Sequence, residues 1–356
     1  LERAGGVPQE RQLSHNPLVK AAVEELVVVA STGDTKPIKK SPQVPVFSIA
    51  GFEAIILDTT CPLYLRLFAW YRLVRIWATL RFDDHRGLIP STLRLVNGSL
   101  RGTLARTKTT GAGKKREELY LHVDKESFLV CADWLPVGLT LWQSIGVARD
   151  YFLVLPTPDL TGTIALEAQY SDAEACSRLL LQRVRLQDGS FLMSLPHASD
   201  FWHEHGDRAT LPSIAACVSS IAPEWIDELG NWSSKSSVAY VRTHLRKVAI
   251  IQATVADHLR RGRSSASDIG EDDLYAQWAA FLCSRGSSQS DAVMQTSKLA
   301  AATVVYFTSS GAGTAAPATP AEVCDESLDL LLPGPEETHH EVVEEPVARL
   351  GYFVVS

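Results

Sequence analysis

Between residues 205 and 240, the sequence brings together three side chains that could cut a phosphodiester bond. His205 and Arg208 are three positions apart, and Tyr240 closes the stretch. A tyrosine oxygen can attack phosphorus and hold the cut end as a phosphotyrosine. A guanidinium binds the charge that builds on the phosphate oxygens through paired hydrogen bonds, and a histidine can transfer a proton. We therefore treat these residues as a candidate phosphoryl-transfer site.

The elements that must position these groups can be read from the sequence pattern. Pro223 to Leu229 is predicted to form a short helix that stops at Gly230, and Tyr240 is predicted to lie on a helix that continues to about Leu259. Dense apolar residues from Leu63 to Arg81 indicate a buried helix.

A β-hairpin is predicted in the middle of the chain. The segment 100–107 alternates and is rich in strand formers, 110–113 is a turn, and the return strand contains Leu119, Leu121 and Val123. One or two short helices are expected within 127–155. A helix over 171–182 is predicted to open with a capping box from Ser171 to Glu174.

The order of these motifs resembles the catalytic domain of tyrosine recombinases, the phage-integrase family. His205-Gly-Asp-Arg208 matches the His-x-x-Arg box, and the family has a helix where this chain has residues 209–219. Arg106-Thr107-Lys108-Thr109 is similar to the hairpin segment of Cre-type recombinases, and Tyr240 lies at about the family distance from the box. The resemblance implies that Tyr240 is the nucleophile and that Lys108 protonates the leaving group.

The first catalytic arginine of the family is harder to place. We expect Arg75, with Arg81 and Arg72 as alternatives. The interval after Arg75 is about two residues shorter than in the family, and Trp77 and Ala78 stand where a glutamate is usual.

Two further assignments follow from the resemblance. The family's His or Trp position falls on Asn231 when counted back from Tyr240, and a one-residue gap would restore Trp232, which we favour. Basic residues of the hairpin segment are expected to contact DNA phosphates: Arg106, Lys114, Lys115 and Arg116.

The phrases LRFDDHRGL, GTLARTKT and LGNWSSKSSVAYVR are most similar to recombinases of eukaryotic DIRS-type or Crypton-type mobile elements. This resemblance implies a site-specific recombinase or integrase that acts on double-stranded DNA through a 3′-phosphotyrosyl intermediate. It also implies a tetramer on DNA, a nuclear location, and no metal or other cofactor. The segment 264–284 would then dock on a neighbouring subunit, or simply be a terminal packing helix.

Two other interpretations remain open. The chain could be a catalytically inactive DNA-binding remnant, or a domesticated descendant, of such a recombinase. It could also be an unrelated α-rich protein whose motif matches arise by chance.

The fold class expected is α+β and mainly α, namely the tyrosine recombinase catalytic-domain fold with a small antiparallel β-hairpin or sheet. Residues 1–45 are expected to be a linker and a remnant of an N-terminal core-binding domain, and 46–262 the catalytic domain. Residues 263–284 are a possible C-terminal helix, and 285–356 an acidic, low-complexity tail that is mostly disordered.

The charge of the chain is unevenly distributed. The net charge is −7, but residues 261–356 hold 14 acidic and 5 basic residues, whereas residues 1–260 hold 27 acidic and 29 basic residues. A slightly basic body is thus compatible with a nucleic-acid partner. No apolar run is long enough to span a bilayer, and the six cysteines form no CxxC pair, which argues against a zinc site and a disulfide scaffold.

Overall fold

A computed structural model describes residues 19, 21–22, 41–104, 119–146, 149–186, 188–229, 241–261 and 269–310. All of them belong to one compact unit that runs from Leu1 to Gly313. The helices are α1 (Val46–Leu57), α2 (Leu63–Trp77), α3 (Phe82–His85), α4 (Trp134–Gln143), α5 (Tyr170–Arg183), α6 (Gly206–Ala215), α7 (Pro223–Leu229), α8 (Val241–Arg260), α9 (Asp272–Ser284) and α10 (Gln289–Ser310).

Helix α2 is the centre of the core. Pro62 precedes its first residue, and nearly every side chain from Tyr64 to Trp77 is buried, since α1, α4, α5 and α6 pack around it. A helix that is apolar on all sides is stable only when it is enclosed in this way. The closest approach is made by α4, where a Cβ on Gly138 would lie 1.9 Å from the Trp70 ring.

Two small antiparallel sheets flank the helices. β1 (Arg94–Val96), β2 (Ser99–Leu104) and β3 (Leu119–Val123) form the first sheet in that order. β4 (Val154–Pro156) and β5 (Thr163–Glu167) form the second. The predicted hairpin strands are confirmed, and so is the expected class, a mainly helical α+β fold with small antiparallel sheets.

Helices α6 and α7 lie where the sequence predicted helices. Helix α6 begins three residues earlier than expected because the chain turns at His205, and Gly206 fits beside the backbone of Pro42, whose oxygen a Cβ would approach to 2.5 Å. The Val44 N–H donates to the hydroxyl of Thr210 at 2.8 Å and joins the segment before α1 to α6.

Helix α5 begins one residue before the predicted range. The backbone N–H of Gln169 donates to the Asp172 carboxylate at 2.8 Å, so the helix start lies two residues before the predicted capping box.

Helix α10 lies in the segment 285–356, which was expected to be mostly disordered. Helix α10 occupies Gln289–Ser310, and its buried side chains include Ala292, Gln295 and Leu299. Their spacing places them on one face, which packs against α1, α8 and α9. Small and polar residues on this face, such as Ala292 and Gln295, gave no apolar pattern from which the helix could be predicted.

Helix α9 packs on its own chain. The Trp278 ring lies 4.9 Å from that of Trp202, and its indole N–H donates to the Ala198 carbonyl at 3.0 Å. The interpretation of 264–284 as a terminal packing helix therefore describes Asp272–Ser284 in this structure. None of the helices in the described ranges is long and apolar enough to cross a membrane.

Candidate active site

His205 and Arg208 lie on the first turn of α6. His205 occupies the N-cap position and is exposed, with its ring centroid 6.0 Å from that of Tyr170 on α5. Arg208 is one turn further, with a side chain that is 15% exposed. Residues three apart share a helix face, so the imidazole and the guanidinium can meet one ligand.

Arg208 lies against the turn that follows α2. One guanidinium nitrogen is 3.5 Å from the Thr79 carbonyl oxygen and 3.4 Å from the Asp84 carboxylate. Burial, together with the positive charge of Arg81, lowers the pKa of Arg208 to about 10, and Asp84 opposes the shift. Arg208 is thus charged at neutral pH in an environment that disfavours a cation. An anion bound beside it would offset this unfavourable environment.

Arg81 sits on the same turn, at the N-cap position of α3, and is half-buried. Its backbone N–H donates to the Asp84 carboxylate at 2.9 Å. Asp84 therefore fixes the Arg81 backbone while it contacts the Arg208 guanidinium, and the two positive charges are held close enough to influence each other.

Arg75, the residue expected to be the first catalytic arginine, has a different environment. Its side chain is 1% exposed and forms ion pairs with Glu204 and, at 2.6 Å, with Asp207. Burial works against its charge, but the two carboxylates outweigh that effect and raise the pKa of Arg75. A phosphate could reach this guanidinium only by displacing buried carboxylates, which a charged group in the interior resists.

Arg72, the other alternative, is also enclosed. It pairs with Asp207 through two nitrogens, at 2.5 and 3.2 Å, and its guanidinium lies 5.2 Å from the Phe52 ring centroid. Arg72 and Arg75 thus both bind carboxylates inside the protein.

Glu204 directly precedes His205, and Asp207 directly precedes Arg208. The buried ion pairs of these two carboxylates therefore fix the candidate catalytic turn to α2. The Ser177 hydroxyl donates to Glu204. Burial raises the pKa of Glu204, but the positive charges of Arg75 and Arg72 lower it by more. The pKa of Glu204 is therefore below its ordinary value. We call Arg72, Arg75, Glu204 and Asp207 the buried ion-pair network.

Thr79 connects the Arg81 turn to α7. Its φ is +51°, a left-handed conformation that is unusual for a threonine, and it is buried. Its hydroxyl donates to the carbonyl of Leu229, the last residue of α7, while its own carbonyl faces Arg208. These contacts stabilise the unfavourable positive φ of Thr79, and such strained residues are common at functional sites.

Several predicted site residues lie outside the described residues. These are the hairpin residues Arg106, Lys108, Lys114, Lys115 and Arg116, and the residues Asn231, Trp232 and Tyr240. Of the predicted catalytic residues that are described, His205 and Arg208 lie at the start of α6, and Arg75 pairs with Glu204 and Asp207 beside them in the sequence.

Four residues that surround the candidate site were not predicted from the sequence: Glu204, Asp207, Asp84 and Thr79. A signal for the first two was present, since two arginines three apart on an otherwise apolar helix need buried acidic partners. Across the described ranges, no group of three or more His, Cys, Asp or Glu side chains is arranged to hold a metal ion.

Neither a protein-family model nor a curated protein matches the chain. Solved structures similar to it include XerH, a site-specific recombinase bound to difH substrate in a pre-cleavage complex. The identity is 12% and the TM-score 0.33 over 68% of this chain. Flpe in a Holliday junction complex is similar at 14% identity and a TM-score of 0.32 over 67% of this chain. These proteins are tyrosine recombinases. The chain spans 65% of the length of the first and 55% of the second.

Proposed function

We propose that this chain is a DNA strand-transfer enzyme of the tyrosine recombinase type, with Arg81, Arg208 and His205 at the scissile phosphate. The observation that supports it most is that Asp84 contacts both the Arg81 backbone and the Arg208 guanidinium, next to the start of α6, where His205 is exposed. The residue order and motif phrasing favour a mobile-element recombinase of the DIRS or Crypton type, working in the nucleus as a tetramer on double-stranded DNA.

Arg81 replaces Arg75 in this proposal. A catalytic arginine must reach solvent to meet a phosphate, and Arg81 is half-buried whereas Arg75 is enclosed by carboxylates. The effect of Arg81 on the pKa of Arg208 supports a shared ligand, because one phosphate placed between two cations stabilises both.

The reaction balances without an external energy source. The Tyr240 oxygen attacks phosphorus, a new P–O bond forms to the tyrosine, and the bond to the 5′ oxygen breaks. Lys108 gives a proton to the departing 5′ oxygen, and the proton that the Tyr240 hydroxyl loses passes to His205 or to solvent. The guanidinium groups of Arg81 and Arg208 bind the charge that gathers on the non-bridging oxygens. Attack by a new 5′ hydroxyl reverses the steps and rejoins the strand.

A covalent-trapping assay tests the proposal. A nicked suicide substrate, drawn from the ends of the element that encodes the chain, is mixed with the protein at low salt so that phosphate contacts persist. We expect a DNA–protein adduct that survives SDS and disappears in Tyr240→Phe. Salt-sensitive DNA binding without an adduct would favour the inactive DNA-binding remnant. If the protein neither binds the DNA nor forms an adduct, a DNA-directed function is contradicted.

A further inference from the structure

The face of the three-stranded sheet opposite Leu100, Leu104 and Leu121 carries two arginines that reach solvent, Arg94 and Arg101, and the buried His122. The register pairs Arg94 of β1 with Arg101 of β2, and Arg101 with His122 of β3. Side chains of directly paired residues lie on the same face of a sheet. The alternate residues, Leu100, Leu104 and Leu121, are buried and mark the opposite face as the core side. We call Arg94, Arg101 and His122 the basic sheet face.

The pairing of Arg94 with Arg101 is unfavourable within the protein itself. Like charges directly opposite each other on neighbouring strands destabilise a sheet. In addition, the Nε atom of Arg101 is buried and has no hydrogen-bond partner in the described part of the chain. A buried donor without a partner has a desolvation cost that nothing in the sheet offsets.

No carboxylate of the described residues lies within ion-pair distance of Arg94 or Arg101. Eight arginines of the described residues have such a partner: Arg72, Arg75, Arg86, Arg178, Arg208, Arg260, Arg261 and Arg285. On the sheet itself, Asp124 lies 3.7 Å from His122 and is engaged there by Ser99 and the Glu126 N–H. The Arg94–Arg101 pair therefore keeps an unbalanced double positive charge.

The spread of donors along this face indicates a polyanion rather than a small anion. Tyr120 pairs with Thr103 on the same face and is 46% exposed. Tyrosine hydroxyls and arginines are common donors to phosphate oxygens of nucleic acids.

The sheet is also joined to the candidate active site. The Ile89 N–H donates to the Thr103 carbonyl at 2.9 Å, and the Thr103 N–H donates to the Thr92 hydroxyl at 2.9 Å. The segment that leaves the Arg81 turn thus runs along β2, so one extended ligand could contact both places.

We propose that the basic sheet face binds backbone phosphates of duplex DNA away from the cleaved phosphate, with Arg94 and Arg101 as the two principal donors. This inference rests on the proposed function. Such contacts fix the position of the protein on the duplex and carry no sequence information. An anion between the guanidinium groups would also relieve the repulsion and reach the Arg101 side chain.

The test is the salt dependence of DNA binding by Arg94→Gln/Arg101→Gln. Each phosphate contact contributes about 0.9 to the slope of log K against log salt, so two contacts contribute about 1.8. Between 50 and 200 mM salt, the wild type should lose about 12-fold more affinity than the variant. The loss of affinity at low salt should be similar for unrelated duplex sequences.

A matched control is Arg185→Gln/Arg261→Gln, which removes the same charge from positions outside the sheet. Its slope should equal that of the wild type. A thermal melt should show that Arg94→Gln/Arg101→Gln is folded with an unchanged or raised Tm, because a repulsive pair has been removed.

The outcomes separate the two proposals. A wild-type slope in Arg94→Gln/Arg101→Gln, while the wild type still forms the Tyr240 adduct, overturns only the sheet contact. A reduced slope without any adduct supports the sheet contact and counts against cleavage. If the wild type does not bind duplex DNA at low salt, or the control loses the same slope, the sheet contact is overturned.

Discussion

At the scale of single residues, Arg75 and Arg81 differ in burial and in the groups that surround them. Arg75 is enclosed and neutralised by Glu204 and Asp207, whereas Arg81 reaches solvent beside Arg208. The sequence could not separate them, because a guanidinium in a motif looks the same whether its partner is a phosphate or a carboxylate more than a hundred residues away. Burial is the observation that favours Arg81 in our proposal, and burial depends on tertiary packing.

Substitution of each arginine should therefore affect different properties. Arg81→Gln should lower the rate of adduct formation by about 100-fold or more, because it removes a donor to the charged transition state. Its free energy of unfolding should change by less than about 1 kcal/mol, since the site is partly exposed. Arg75→Gln should lower the free energy of unfolding by about 3 to 5 kcal/mol, because it leaves buried carboxylates without their partner.

Trapping kinetics and denaturant unfolding measure the two effects separately. Arg261→Gln serves as the control for loss of one positive charge. The assignment would be overturned if Arg75→Gln were as stable as the wild type and failed to form the adduct while Arg81→Gln reacted normally.

At the scale of elements, Gln252 joins three parts of the fold. It lies on α8 and is fully buried. Its amide nitrogen donates to the Trp77 and His122 carbonyls at 2.8 and 3.0 Å, and its oxygen accepts from the Asp124 N–H at 2.8 Å. The helix that begins directly after Tyr240 is thereby fixed to the end of α2 and to β3.

Loss of this amide should weaken the domain. Gln252→Leu should lower the free energy of unfolding by about 2 to 4 kcal/mol, because buried backbone groups lose their hydrogen-bond partners. Urea unfolding followed by circular dichroism measures it, and Arg246→Ala, on an exposed position of the same helix, should change stability by less than about 0.5 kcal/mol. Equal stability of the two variants would show that α8 is held by apolar packing alone.

Much of the element pattern was predictable, and the reasons for the exceptions are physical. The buried helix α2 and the strands β2 and β3 follow from local apolar spacing, which is visible in the chain itself. Helix α10 was missed because its buried face is formed by small and polar residues such as Ala292 and Gln295. Gln295 is buried only because it donates to the Leu192 carbonyl at 2.7 Å, a contact over a hundred residues distant.

At the scale of the whole molecule, two buried carboxylic acids make stability depend on pH. Glu53 accepts hydrogen bonds from the backbone N–H groups of Leu129, Val130 and Cys131, and Glu271 accepts from the Val46 N–H and the Tyr275 hydroxyl. Burial outweighs these hydrogen bonds and raises the pKa of each carboxyl from 4.5 to about 7.

The direction of the pH effect follows from these shifts. A carboxyl whose pKa is higher in the folded state stabilises the fold most below its unfolded pKa of 4.5, and this contribution is lost as pH rises to about 7. Each group should account for a loss of up to ~3 kcal/mol between these limits. Glu204 acts in the opposite direction, because its lowered pKa favours stability at higher pH.

Thermal unfolding of the wild type and of Glu271→Gln between pH 5 and pH 8 measures the effect. The fall in Tm over this range should be smaller in Glu271→Gln, which cannot ionise at that position. Asp273→Asn, an exposed change in the neighbouring turn, is the control and should keep the wild-type dependence. An identical pH profile for Glu271→Gln would exclude this carboxyl as a source of the dependence.

The buried ion-pair network also constrains how the sequence of this protein can change over time. Two basic residues of α2 and the two acidic residues of the His205–Arg208 turn balance each other without solvent. A lineage that loses one member leaves an uncompensated charge in the core, so a lasting change should require a second change at the opposite position. Positions 72 and 75 should therefore covary with positions 204 and 207 among homologous chains, even where Arg81 and Arg208 stay the same.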